Sequence, residues 1–560
     1  MPSNNKLKTP FESKKNYSAT YKEIVQFYSK LNNASDIIQV NEFGKTDIGK
    51  PLHEVIISTN KIFDPESIKK SGKNVLFINN GIHPGEPCGI DASMMLARDI
   101  ANGKIKNSLL KETVIVIIPV YNIGGCLNRS STSRANQDGP EAYGFRGNAQ
   151  NLDLNRDFVK CDSKNAKSFN LLFNKWEPTV FIDNHTSNGA DYQYTMTLIA
   201  TQKDKLSKAL GSYLEKEMLP DLYKKMKKKK WEMTPYVYAR ETPDEGIAGF
   251  LDLPRYSSGY GALHNVISFM PETHMLKPYK DRVWSTYAFM ESMIQHMSVN
   301  NLKIARAKTK ALNQNQKAKN LDINWTMDRD KSEKIKFKGF EAGYKESKVT
   351  GHSRLYYDTS KKYNKEIPFY NTYKASTSVT TPKQYIIPQA YANVIQRLEW
   401  NNVTMEVIKK DSVIRGDTYY ITDYTSSPRP YEGHFLHREV EVESFSIKQQ
   451  FYKGDVIVKT DQPKKRYIVE TLEPQGPDSF FAWNFFDGIL MQKEYYSPYV
   501  FEELAEEILK KNRKLKKAFE KKKKEDTAFA ESGSAQLTYI YENSPYYEKT
   551  FQRYPVLRVF

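Results

Sequence analysis

Three short, nearly unbroken apolar runs constrain this 560-residue chain more than any other feature. They are VLFINN from Val75, TVIVIIPV from Thr113 to Val120, and TVFIDN from Thr179 to Asn184. A strand with one wet face alternates apolar and polar residues. A run that is apolar at every position belongs to a strand covered on both faces, as in a parallel sheet between helices. Between the first two runs lies IDASMMLARDIANG, with helical apolar spacing and a glycine stop at Gly103. Upstream, a capped helix over residues 18–31 (SATYKEIVQFYSKL) leads into a strand pair around IIQVNEFG and LHEVIIST. The pattern predicts an α/β fold for the first half: a mixed, mostly parallel sheet flanked by helices.

In such a sheet, ligands gather at the C-terminal ends of the strands. The first run leads directly into HPGE, carrying His83 and Glu86. His185 follows the third run at once, and a further strand, NVISFMPE, delivers Glu272. A His and an acid three residues apart mean little alone. Nine His and 66 acidic residues yield about one such match by chance. With His185 at a similar strand end, the set becomes three N/O ligands with an open fourth position. That is the pattern of a catalytic zinc site, not of a closed structural one. Cys88, Cys126 and Cys161 are too few and too scattered for a disulfide framework or a cysteine-based zinc site.

A long aperiodic stretch, Tyr121–Asp157, is rich in Gly, Asn and Ser and carries Arg129, Arg134, Arg146 and Arg156. Loops of this length inside a compact domain are usually functional. Arg129 and Arg134 read equally well as ties between loop carbonyls.

The chain is too long for one core. The expected organisation is an N-terminal helical segment (1–44), a catalytic domain (45–315) and an accessory region (316–560). In the last, Tyr and Thr rise and short alternating segments such as TYYITDY and HREVEVESFSI predict a β-rich, sandwich-like structure. A charged helix, FEELAEEILKKNRKLKKAFEKKKKE, is expected near its end. PDSFFAWNFFDGIL reads as packing. The net charge of +18 is concentrated in lysine tracts at 224–230 and 510–524 that lack interleaved aromatics. They read as solvated helix faces, so no nucleic-acid partner is expected. No apolar run reaches the ~18 residues of a membrane span. The N-terminus has no signal-type apolar core, which leaves open a cytosolic protein or an exported, periplasmic one whose signal lies outside this sequence.

In order, HPGE at 83–86, GNAQNLDLNRDF at 147–158, DNHTSN at 183–188 and PETH at 271–274 resemble the M14 zinc carboxypeptidases, over roughly residues 45–300. The resemblance implies one Zn2+ ion held by His83, Glu86 and His185, with Glu272 as general base. It makes Arg146 the arginine that polarises the scissile carbonyl and holds the oxyanion. Asn155 and Arg156 become the pair that binds the terminal carboxylate of a peptide substrate. The family's mobile tyrosine falls on Tyr260 or Tyr256, and Tyr260 is taken as the substrate-binding one. The implied activity is hydrolysis of a C-terminal peptide bond. The same groups would serve an amidase or deacylase of N-acyl amino acids or cell-wall peptides. A non-catalytic binding protein on this scaffold is the remaining alternative, and the filled metal and base positions count against it. His274 is expected to pack, and His434 and His437, three apart in a strand, to face opposite ways.

Overall fold

The computed structural model describes residues 7–14, 16–239 and 241–560. The apolar runs become central strands. β1 (Ile38–Phe43), β2 (Leu52–Ile57), β3 (Asn74–Asn79), β4 (Thr113–Ile118), β5 (Val180–Asp183), β6 (His185–Ser187), β7 (Met196–Ala200) and β8 (Met233–Pro235) share one sheet with β10 (Ile267–His274); β9 (Ile247–Ala248) lies outside it. The order is β1-β2-β4-β3-β5-β10-β7-β8, with β6 beside β10. The β4/β3, β3/β5, β5/β10, β6/β10 and β7/β8 pairs are parallel. The β1/β2, β2/β4 and β7/β10 pairs are antiparallel. This is the mixed, mostly parallel sheet that the runs imply.

All residues of β3, β4 and β5 are buried. Helix Lys164–Trp176 covers part of the sheet: its Phe169 and Phe173 meet Phe77 of β3 and Phe181 of β5 at ring-centroid distances of 5.4–5.8 Å. Helices Cys88–Ala101 and Tyr279–Lys317 pack on each other and add a methionine-rich layer that includes Met94, Met95, Met290 and Met293. The segment expected to be helical over 1–44 holds the helix Tyr21–Ala34, closed by a Thr20–Glu23 capping box. It also holds β1, so the sheet begins within it.

The second half is β-rich. β11 (Asn320–Met327) pairs with β14 (Tyr373–Thr380), and β12 (Glu333–Glu346) with β13 (Ser353–Tyr370). The end of β13 joins β9 of the first half in parallel. β15 (Gln384–Ile387), β16 (Glu406–Val407), β17 (Ser412–Ser426), β18 (His437–Phe451), β19 (Val456–Lys459) and β20 (Leu557–Val559) form a six-stranded antiparallel sheet. The longest strands, of 14–18 residues, run as extended ribbons, unlike the short strands of a sandwich. The expected single charged helix is corrected to two, Pro498–Lys511 and Arg513–Glu525, followed by Thr527–Glu531 and Gly533–Glu542. The break falls at Asn512, whose side chain accepts from Leu515 N; asparagine serves better as a cap than within a helix. Among the described residues, no helix is long and apolar enough to cross a membrane.

The two halves share a buried polar node. Asn401 Oδ1 accepts from the Tyr260 hydroxyl (2.6 Å) and from Asn174 Nδ2 (3.2 Å), while its Nδ2 donates to Tyr467 Oη (2.9 Å) and Arg397 O (2.9 Å). Asn401→Leu would strand several buried polar groups at once. It should cost about 3 kcal/mol, read as a lower urea midpoint, because each orphaned group carries ~1–3 kcal/mol of desolvation.

Candidate metal centre and active site

After β3 the chain makes a tight turn in which Glu86 N donates to His83 O (2.8 Å), placing the two side chains together. Glycine is needed inside this turn. A Cβ on Gly85 would lie 2.9 Å from Arg134 Cδ and 3.1 Å from Gly144 O. Across the β3–β5 register, the chain passes from Asp183 at the end of β5 to His185 at the start of β6, and β6 in turn aligns His185 with Glu272 of β10. Ordinary parallel pairing thus gathers His83, Glu86, His185 and Glu272 at one end of the sheet.

The ligating atoms of His83, Glu86 and His185 all lie within 4.8 Å of one another, and the residues are buried. Each imidazole is oriented by a carboxylate. His83 Nε2 is 2.8 Å from Asp153 Oδ1, and His185 Nε2 is 2.9 Å from Asp183 Oδ2. That leaves each Nδ1 facing Glu86, at 3.3 Å in both cases. His83 Nδ1 is buried and has no hydrogen-bond partner. A buried imidazole nitrogen without a partner, a second nitrogen fixed in the same sense and a carboxylate between them suit a zinc ion. The residues present fit that metal.

The electrostatics agree. Burial works to raise the Glu86 carboxyl, yet Arg134 and the two histidines hold it well below the usual carboxylate range. Burial likewise opposes charge on His185, but Asp183 and Glu86 hold its pKa well above the ordinary value. The cluster favours positive charge at its centre. Glu272 keeps part of its surface open to the cleft, yet the protein packed around its carboxyl pushes it up to about 7, with His185 opposing and Glu86 assisting.

A cleft of about 580 Å3 opens over this centre. Arg146, Asn155, Arg156 and Glu272 line it together with His83, Glu86 and His185. Arg146 is held by Asp153 Oδ2 (Nη2 2.8 Å, Nε 3.0 Å) and reaches to 3.6 Å from Glu86. Asn155 Oδ1 accepts from Ser257 N (3.1 Å). Arg156 donates from Nη1 to Asn155 O (2.8 Å) and from Nε to the Tyr431 hydroxyl (3.0 Å), with its guanidinium 4.5 Å from the Tyr256 ring centre. Tyr260 is not brought to the cleft. It lies in helix Ser257–Leu263, is fully buried, stacks on Phe158 and bonds to Asn174 and Asn401. Tyr256, just before that helix, and Tyr236 are the tyrosines on the cleft wall.

Several participants escaped the sequence reading. Asp183 was findable: two residues before His185 in an extended segment, it shares that residue's face. Asp153 was visible only as a neighbour of Arg156. Arg129 does tie carbonyls, those of Ser18, Ala19 and Ala142, whereas Arg134 bonds Glu86 Oε1 (2.8 Å) and Thr186 O (3.0 Å). His274 packs against Tyr192 and bonds Ala190 O, while His434 and His437 pair with Asp162 and Asp487 respectively.

Residues 24–245 match the family model described as zinc carboxypeptidase. Carboxypeptidase 2 of Trichophyton rubrum is 23% identical over 481 residues, 82% of each chain, and Carboxypeptidase 2 of Trichophyton tonsurans is 22% identical over 462 residues, 78% of each. Among solved structures, a metallo-carboxypeptidase from Burkholderia cenocepacia aligns with TM-score 0.39 at 15% identity, over 50% of this chain and 70% of that one. Carboxypeptidase A from Helicoverpa armigera aligns with TM-score 0.38 at 14% identity, over 53% and 75%.

Asp183→Asn should keep the fold and weaken zinc retention about 10- to 100-fold, since the carboxylate behind an imidazole ligand sets its tautomer and basicity. Zinc content after dialysis against a graded chelator measures this without an activity assay.

Proposed function

We propose that this chain, a member of the M14 family of zinc carboxypeptidases, removes single residues from the C-termini of peptides, with His83, Glu86 and His185 holding one zinc ion. The observation that carries the reading is the convergence of these three groups with Glu272 and two arginines on one cleft. When bound there, zinc supplies Lewis-acid polarisation and lowers the pKa of water toward neutrality.

The chain's own residues do the rest. Glu272, with a pKa of about 7, is suited to take a proton from the attacking water and pass it to the leaving amine. Arg146 is the most exposed of the site's cations and is anchored through one edge by Asp153, which suits it to meet the oxyanion. Arg156, with Asn155 beside it, receives the substrate's terminal carboxylate, for which a guanidinium fork is the matching shape. That contact makes the enzyme an exopeptidase, because a chain continuing past the scissile bond has no carboxylate to offer. Ile199, Phe250, Met270 and Tyr236 give the same cleft an apolar wall, which favours an apolar or aromatic C-terminal side chain.

Mass spectrometry of a mixed peptide library tests the reading. Zinc-loaded protein should shorten peptides by one residue at a time from the C-terminus, fastest where that residue is apolar. Glu272→Gln should keep its zinc and lose about 100- to 10,000-fold in kcat. Arg146→Ala should lose about 100- to 1,000-fold, the usual cost of removing an oxyanion donor. Release of acyl groups or internal cleavage in place of C-terminal trimming would overturn the reading.

A further inference from the structure

The loop between β17 and β18 comes from the β-rich half, beyond the residues that match the family model, yet it reaches Arg156 and Asp153 of the site. Tyr431 does not itself line the cleft. Its hydroxyl instead accepts from Arg156 Nε at 3.0 Å. The next residue, Glu432, accepts from the backbone N of Asp153 through Oε2 at 2.7 Å. Asp153 is the carboxylate that holds both His83 and Arg146. Two consecutive side chains thus grip the carboxylate arginine and the residue that orients the oxyanion arginine and a metal ligand.

This loop is itself built to be rigid. Glu432 adopts φ +52°, a left-handed conformation that costs a non-glycine residue energy and persists only when its surroundings enforce it. Tyr431 and His434 close the turn by a backbone bridge. The Tyr431 ring lies nearly parallel to Trp483 (17°, 6.1 Å), a fully buried side chain of the aromatic segment, and the Arg255 guanidinium sits 5.6 Å from the Tyr431 ring centre. His434 Nε2 is 2.7 Å from Asp162 Oδ2, pinning the far side of the turn to the catalytic half.

We infer that Tyr431 and Glu432 are positioning residues of the active site: Tyr431 fixes the plane of Arg156 for the substrate carboxylate, and Glu432 fixes Asp153. The β-rich half therefore completes the exopeptidase site. The inference rests on Arg156 being the carboxylate-binding arginine, as proposed above.

The test compares zinc-loaded wild type with Tyr431→Phe, which keeps the ring and its stacking. The substrate is an N-acylated dipeptide ending in phenylalanine. The binding probes are 3-phenylpropanoate and its uncharged amide, scored as competitive inhibitors. Tyr431→Phe should raise KM and the inhibition constant of the carboxylate about fivefold to tenfold, leaving kcat within about twofold, because one hydrogen bond to a charged group is lost and the chemistry is untouched. The inhibition constant of the amide should not move. A loss confined to kcat, or equal weakening of carboxylate and amide, would overturn the inference. So would a wild-type-like Tyr431→Phe when wild type itself prefers the carboxylate. A wild type that binds carboxylate and amide equally would overturn the reading of Arg156, a different failure. In parallel, Glu432→Ala should lower kcat about tenfold while Glu432→Gln, which keeps an acceptor for Asp153 N, restores it. Equal activity of these two variants would remove Glu432 from the proposal.

Discussion

The site depends on one carboxylate. Asp153 gives Oδ1 to His83 Nε2 and to its own turn through Asn155 N, and Oδ2 to Arg146. A candidate metal ligand, a candidate oxyanion group and the turn that presents Asn155 and Arg156 therefore share one anchor. It works because Asp153 stays ionised. Burial acts against the charge, but His83, Arg146 and Arg156 hold its pKa far below the ordinary carboxylate value. Neutralising it would release all three at once, whereas most active-site groups fail singly. Buried charge is tolerated here only because every lobe of it is spoken for.

Charge balance extends outward from that anchor. Glu86, Asp153 and Asp183 surround the two imidazoles, and Arg134 and Arg146 approach Glu86 Oε1 at 2.8 and 3.6 Å. Removing a cation from this set leaves surplus negative charge under the cleft; adding a divalent ion between the imidazoles is what the acids favour. Glu272 stands at the margin of the same field. Its carboxyl is raised by burial while that of Glu86 beside it is lowered, so two acids of one cleft are pushed in opposite directions. Such separation is how one site keeps a charged scaffold and a proton acceptor side by side.

The sheet was legible because burial on both faces leaves a mark at every residue of a strand: VLFINN and TVIVIIPV have no wet positions to confuse the reading. The convergence of His83, Glu86 and His185 was legible for a related reason, since strand ends fix where the following residue must lie. Reading failed where geometry depends on helical phase or on distant contacts. The stretch around SSGYGAL offered two tyrosines, Tyr256 and Tyr260, and Tyr260 was taken for the cleft. As a helix from Ser257 it turns Tyr260 into the core. Gly259 allows that close seating, since a Cβ there would run into the backbone oxygen of Leu253. Asn512 is the same lesson in reverse: its neighbours suit one long helix, and a single capping side chain divides it.

Tyr431 and Glu432 left no mark in the sequence at all, because nothing within their own segment announces a partner some 275 residues away. Their placement accounts for features that local reading could assign only to packing. The aromatic segment around Trp483 lies under the Tyr431 ring. Trp483 Nε1 donates to Asp478 (3.1 Å), which also binds the Arg255 side chain at 2.8 Å. Arg255 adjoins Tyr256 on the cleft wall. A dense aromatic core in the β-rich half and Arg156 of the cleft are thus two ends of one packed column. A loop that merely covered the cleft would need none of this support; one that has to hold a guanidinium plane against thermal motion does.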